Sequence, residues 1–247
     1  MIKVRGLSKA FGGLRAVSDL SFETMPQRIT SIIGPNGAGK STAFNLISGS
    51  VKPDSGTVEL DGRDITGKPP YILARIGVAR SFQTSNLFFG LSALENVRLA
   101  CQGLEPRKRY LSRLHADSRV CARAQALLEQ FGLAERADEL VRNLSHGDQR
   151  RIEIAVCMAL APRLLMLDEP TQGMSPAETA EFDALIKSLA GSVTILLIEH
   201  DIDLVMSLSD HVIVMHQGHK LFEGGPQEVR ASERVREAYL GVQHAAP

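Results

Sequence analysis

No run of this sequence is apolar for long enough to cross a bilayer. Stretches such as Val193 to Ile198 fall far short of the roughly 20 residues that a spanning helix needs. The first residues, Met1 to Leu7, carry Lys3 and Arg5 and lack the apolar core of a signal segment. Membrane association is therefore expected only through a partner. Cysteine is scarce too: Cys101, Cys121 and Cys157 are odd in number and widely spaced, which excludes a disulfide framework and the paired spacing of a zinc site and fits a reducing cytosol. Neither charge sign dominates, with 28 basic and 28 acidic residues. Without a basic excess, nucleic acid is not an expected partner. Internal repeats and low-complexity segments are also missing. What remains is a chain of 247 residues, 44% of them hydrophobic, long enough to bury a substantial core.

Apolar alternation or runs at Ile2 to Leu7, Leu20 to Phe22, Ile29 to Ile33 and Thr57 to Leu60 predict short strands punctuated by Gly and Pro. Between about Leu94 and Leu140 the spacing becomes helical, as in Val120, Ala124, Leu127, Leu128 and Phe131, and predicts an inserted helical lobe. From Arg150 the pattern gives a helix to Leu160, a strand Leu164 to Leu167, a helix Ala177 to Leu189 and a strand Val193 to Ile198, with a short helical tail after about Arg230. Such alternation argues for an α/β fold with a mostly parallel sheet and ligands at the carboxyl ends of its strands.

The segment Gly34, Pro35, Asn36, Gly37, Ala38, Gly39, Lys40, Ser41 fits the phosphate-loop pattern GxxxxGK[ST]. It stands between an apolar strand and a helix beginning near Lys40, which is the context the motif requires; Thr42 follows in the first helical turn. Glycines let successive backbone N–H groups point at a phosphate, and the helix N-terminus adds its positive end. Lys40 neutralises β and γ oxygens of ATP, and Ser41 can ligate Mg²⁺. Downstream, Leu164 to Leu167 leads into Asp168 and Glu169. Two acids at the mouth of a buried strand are costly unless they serve a cation. With a phosphate loop upstream, Asp168 is expected in the Mg²⁺ shell and Glu169 as general base.

Leu144 to Arg150, reading Leu-Ser-His-Gly-Asp-Gln-Arg, resembles the signature motif of ABC (ATP-binding cassette) ATPases, and the resemblance covers nearly the whole chain. It implies a P-loop cassette with an antiparallel β lobe at its N-terminus: a core of residues 1–93 and 146–247 and a helical lobe of residues 94–145. It further implies a head-to-tail dimer in which Ser145 and Gly147 of one subunit close on ATP held by the other. Carried over residue by residue, Phe11 matches the aromatic that stacks on adenine, although a core Phe at a strand end is nearly as good a reading. Gln83 matches the loop glutamine that touches Mg²⁺ and the attacking water, and His200 the switch histidine that contacts the γ-phosphate. The other histidines form no convincing metal set.

Three positions depart from the common family pattern: His146 replaces the commonest glycine, Asp148 the commonest glutamine and Ser175 a frequent aspartate. Lys40, Asp168, Glu169 and His200 are intact, so a competent hydrolytic half-site is expected. Runs at Phe44 to Gly49, Asp61 to Gly67, Ile76 to Gln83, Leu94 to Val97, Arg151 to Ala155 and Glu199 to Asp201 resemble the ATPases of branched-chain amino acid importers and their urea or amide relatives. That implies partner permeases, a second ATPase chain, indirectly a solute-binding protein, and a peripheral place on the cytoplasmic face of the inner membrane. A scaffold ATPase of cluster assembly or repair, or an exporter ATPase, is the alternative. Asn86 to Leu91 is read either as part of a permease-facing groove or as core of the helical lobe, and Arg107 to Tyr110 as a solvated helix face.

Overall fold

The computed structural model describes residues 1–81, 86–103 and 118–240. Two sheets organise them. Strands β1 (Ile2–Phe11) and β2 (Leu14–Glu23) form a hairpin, and β4 (Ser55–Leu60) and β5 (Arg63–Asp64) extend it into an antiparallel sheet of order β2-β1-β4-β5. Its strands alternate as a one-sided sheet should: Ile2, Val4 and Leu7 of β1 are buried, while Arg5 is exposed.

The second sheet, of order β10-β9-β3-β8-β7-β6, is parallel in β3 (Ile29–Ile33), β6 (Val78–Arg80), β7 (Leu164–Asp168), β8 (Thr194–Ile198) and β9 (His211–His216). Only β10 (His219–Gly224) runs antiparallel, paired with β9. β3, β7 and β8 are buried along their whole length, because successive side chains go to two different cores. Leu164 and Met166 join the antiparallel lobe and α1 (Lys40–Ile47) in one cluster, whereas Leu165 and Leu167 join α5 (His146–Ala159) and α6 (Pro176–Ala190) in another. Burial on both faces is why these strands read as apolar runs rather than alternations.

The helical spacing is realised in α3 (Ala93–Gln102) and α4 (Ser118–Gln130), followed by two 3₁₀ turns, Ala134–Arg136 and Val141–Asn143. Val120, Ala124, Leu128 and Phe131 are buried there together with Val97 of α3 and Ile152 of α5. α5 starts at His146, earlier than its apolar spacing suggests, since Ser145 caps it. A helix at Pro70–Arg75, α2, and the C-terminal α7 (Ile202–Leu208) and α8 (Pro226–Ala231) were not foreseen; the tail helix α9 spans Glu233–Leu240. Also unforeseen is the β9–β10 hairpin, closed by Gln217 (φ 48) and Gly218 (φ 82). Two successive positive φ values belong to type I′ turns, whose twist suits a hairpin. This turn braces the molecule: the Gly218 N–H donates to Ala38 O at 3.0 Å, and Gly218 O accepts the Ser18 N–H at 2.8 Å.

Candidate active site

β3, β6, β7 and β8 lie side by side and parallel, so their carboxyl ends deliver Gly34, Arg80, Asp168 and Glu199 to one edge of the sheet. Ligands gather at that edge in open parallel sheets. The loop after β3 turns tightly against its neighbours. A Cβ on Gly34 would stand 2.2 Å from Met215 O, and one on Gly39 2.2 Å from Ala16 O, so only glycine fits either place. No side chain caps the start of α1, which leaves its first-turn N–H groups available to an anion. The Lys40 ammonium folds back on Gly34 O (2.6 Å) and Pro35 O (3.1 Å). Burial pulls its pKa down, and the nearby Glu169 and Asp168 carboxylates oppose that shift. Asn36, Gly37, Ala38, Gly39, Lys40, Ser41 and Thr42 line a cleft of about 470 Å³ together with Glu169, Gln217 and the Leu14 to Ala16 segment.

Asp168 ends β7 and is buried. Its Oδ2 accepts from Arg80 Nη2 at 3.1 Å, while Oδ1 is buried without a hydrogen-bond partner. Desolvation raises the Asp168 pKa, and Arg80 counters that rise. Arg80 is fixed in turn by Asn45 Oδ1 of α1 and Ser48 Oγ just past its end, both at 2.7 Å, and by the Phe44 ring beneath its guanidinium at 4.9 Å. An orphaned carboxylate oxygen close to a phosphate loop suits a hard divalent cation. Among the described residues no three His, Cys, Asp or Glu side chains converge on a metal site. The unpartnered Asp168 oxygen and the Ser41 hydroxyl in the cleft wall suit Mg²⁺, which takes one or two protein oxygens and completes its shell with phosphate and water. Gln83, expected in the same shell, lies outside the described residues.

Glu169 follows with φ 45, a left-handed conformation that is uncommon for a residue with a side chain and that clusters at functional sites. Its N–H donates to Ile198 O at 2.9 Å. The kink carries the chain out of the sheet, so Glu169 reaches the cleft wall while Asp168 stays in the strand. His200 is exposed, with Nδ1 4.0 Å from Glu169 Oε1 and 3.7 Å from Glu199 Oε2; both separations exceed a direct hydrogen bond.

The signature turn faces elsewhere. Ser145 caps α5: its Oγ accepts the Asp148 N–H at 3.1 Å and donates to Asp148 Oδ2 at 2.8 Å, and Arg136 pairs with the same carboxylate oxygen. Ser145, Gly147, Asp148 and Arg136 line a separate hollow of about 270 Å³ that shares no lining residue with the phosphate-loop cleft. Ser175 caps α6 through a capping box with Glu178, and Gly173 lies against the His146 ring. Of the residues that depart from the common pattern, Asp148 lines this second hollow and Ser175 bonds to Glu178, which lines it too.

Phe11 is half exposed at the turn end of the β1–β2 hairpin, with the Lys9 ammonium 5.6 Å from its ring centre; it is not a core Phe, and it is its hairpin partner Leu14 that lines the cleft. Phe88 and Phe89 are 60% and 41% exposed, which corrects the core reading of that segment; Leu87 alone of the three is buried. Arg107 to Tyr110 lies outside the described residues. Sequence reasoning gave no role to Arg80 or Glu199. Each is a charged residue at the end of an apolar parallel strand, the same signal that singled out Asp168.

A family model described as ABC transporter matches residues 17–172, and one described as branched-chain amino acid ATP-binding cassette transporter matches residues 219–245. The chain is 44% identical, over 98% of both sequences, to the high-affinity branched-chain amino acid transport ATP-binding protein LivG of Escherichia coli. Among solved structures, the ADP conformation of an ATP-binding cassette of an ABC transporter superposes with a TM-score of 0.87 at 31% identity over 98% of both chains. A dimeric cassette in a post-hydrolysis state bound to ADP and Pi superposes with a TM-score of 0.76 at 26% identity, covering 92% of this chain and 99% of that one.

Proposed function

This chain belongs to the ABC transporter family, and from that premise we propose that it is the ATP-hydrolysing subunit of an importer for branched-chain amino acids or similar small polar solutes. The observation that carries the solute class is the near full-length likeness to LivG together with the C-terminal match to branched-chain cassettes. Among the described residues no helix is long and apolar enough to cross a membrane. Permease subunits therefore supply the path, a solute-binding protein supplies selectivity outside, and the chain sits peripherally on the cytoplasmic face of the inner membrane.

In this reading the core of residues 1–93 and 146–247 holds ATP and the helical unit of residues 94–145 presents the signature turn. The uncapped N–H groups of α1 and the Lys40 ammonium receive the β and γ phosphates, with Lys40 exchanging two neutral carbonyls for charged oxygens, a stronger class of hydrogen bond. Leu14 offers apolar surface on the cleft wall, and the adenine stack assigned to Phe11 then requires the base to extend past Leu14 to its exposed hairpin partner. Ser41 and Asp168, with Gln83, would hold Mg²⁺, which when bound would neutralise phosphate charge. Glu169, projected into the cleft by its left-handed backbone, takes a proton from the attacking water. His200, 4.0 Å away, contacts the γ-phosphate and orients that water.

The dimer reading is supported by the two turns opening onto different hollows: Ser145 and the N-terminus of α5 line one and Lys40 the other, with no lining residue shared. A second ATPase chain, related or identical, supplies the missing half, and the dimeric relative bound to ADP and Pi supports that arrangement. The test is to isolate the tagged chain from its native membranes and identify its partners. Co-isolated permeases and ATPase activity stimulated by a branched-chain amino acid and its binding protein are expected; a complex without integral membrane subunits would contradict the transporter reading.

A further inference from the structure

Glu199 is completely buried immediately after β8, and the hydrolytic scheme above makes no use of it. Both of its oxygens are engaged, and each time by a donor. Oε1 accepts the Thr171 hydroxyl at 2.7 Å and the Thr171 N–H at 3.2 Å, and Oε2 accepts the His200 N–H at 3.2 Å. Three donors on two oxygens call for a group that only accepts, which a carboxamide is not. A carboxylate taken out of water is costly unless its hydrogen bonds are made, so its burial here requires those partners to stay in place.

The partners identify the role. Thr171 lies two residues beyond Glu169, in the turn whose other end is fastened by the bond from Glu169 N–H to Ile198 O. His200 is the next residue in the chain. We propose that Glu199 is a positioning residue that locks the turn carrying Glu169 to the loop carrying His200, so that the two side chains face the γ-phosphate as a unit. Buried as it is, Glu199 has no surface to offer the nucleotide and acts only through its neighbours. A misplacement of about 1 Å in such a pair costs on the order of a hundredfold in rate. The inference rests on the hydrolytic reading above.

The test uses the transporter assembly isolated through a tag on this chain, comparing Glu199→Gln, Thr171→Val, Thr171→Ser and the double variant Glu199→Gln with Thr171→Val. Glu199→Gln is expected to lower kcat by roughly 10- to 100-fold, with KM for ATP and binding of a fluorescent ATP analogue changed less than about twofold. Thr171→Val, at a half-exposed position that a valine fills without strain on folding, moves kcat the same way by a few-fold, and Thr171→Ser restores it. Residues acting through one lock are not additive, so the double variant falls no lower than Glu199→Gln. If Glu199→Gln prevents assembly, the Thr171 pair decides alone. Wild-type kcat in Thr171→Val, or in an assembled Glu199→Gln, would overturn the proposal, as would KM rising with kcat unchanged or losses that multiply in the double variant. A wild-type assembly that neither binds nor hydrolyses ATP would instead remove the hydrolytic reading on which it rests.

Discussion

The phosphate-loop turn and the signature turn of this molecule keep their functional groups in opposite kinds of company. At the phosphate loop, Lys40 rests on the neutral carbonyls of Gly34 and Pro35, with Glu169 and Asp168 near. Exchanging those carbonyls for phosphate oxygens strengthens its hydrogen bonds. At the signature turn, the Ser145 hydroxyl already donates to the Asp148 carboxylate, and Arg136 pairs with that carboxylate. Phosphate arriving there must displace an anionic acceptor and tolerate its charge. In the dimer proposed above, one half-site would take nucleotide by itself, and the other would engage only when a facing subunit presents the nucleotide in place.

Several substitutions bear on that contrast. The largest effect is expected from Glu169→Gln, which leaves the phosphate cradle untouched and should cut turnover by about a hundredfold or more, in line with loss of a general base; equilibrium binding beside steady-state ATPase would show ATP still held. Lys40→Ala should weaken nucleotide binding to the isolated chain by at least about tenfold, the scale of a lost charged hydrogen bond, whereas Ser145→Ala should leave that binding unchanged. Equal losses in both would erase the distinction between the halves. The Arg136–Asp148 pair is partly exposed, so changes there are a few-fold: Arg136→Ala should lower the affinity of nucleotide-driven dimerisation and Asp148→Asn should raise it, as sedimentation would report.

The smallest effect is a pH dependence. The charged form of Lys40 is the one that binds phosphate, and burial holds its pKa below the ordinary 10.5. ATP affinity should therefore decline with rising pH earlier than a free lysine would dictate. Lys40→Arg, which keeps its proton throughout, should flatten the profile in a titration of analogue binding.

The readiness of the phosphate half was legible in the sequence because its parts are contiguous: an apolar strand, a glycine loop and Lys40 at a helix start. Asp168 and Glu169 stood out for the same reason, as acids closing an apolar strand. Arg80 did not, since Asn45, Ser48 and Asp168 come to it through sheet order rather than sequence spacing. Glu199 was hidden beside the more conspicuous His200, and its partner Thr171 arrives from a separate strand end. The β9–β10 hairpin escaped because its turn puts Gln217 at positive φ, where Asn or Asp is the usual signal. On the signature side, the engagement of the Ser145 hydroxyl by Asp148, and of Asp148 by Arg136, was not readable: the Arg136 contact depends on how the 3₁₀ turn at Ala134–Arg136 folds back on α5.

In the proposed dimer, this chain's Ser145 turn serves a nucleotide held by the facing subunit. A photo-cross-linker attached at Ser145→Cys, in a transporter assembly trapped by Glu169→Gln with Mg-ATP, tests it directly. Peptide mapping should find nucleotide-dependent adducts in the phosphate loop of the facing ATPase chain. Adducts confined to the same chain, or unaffected by nucleotide, would contradict it.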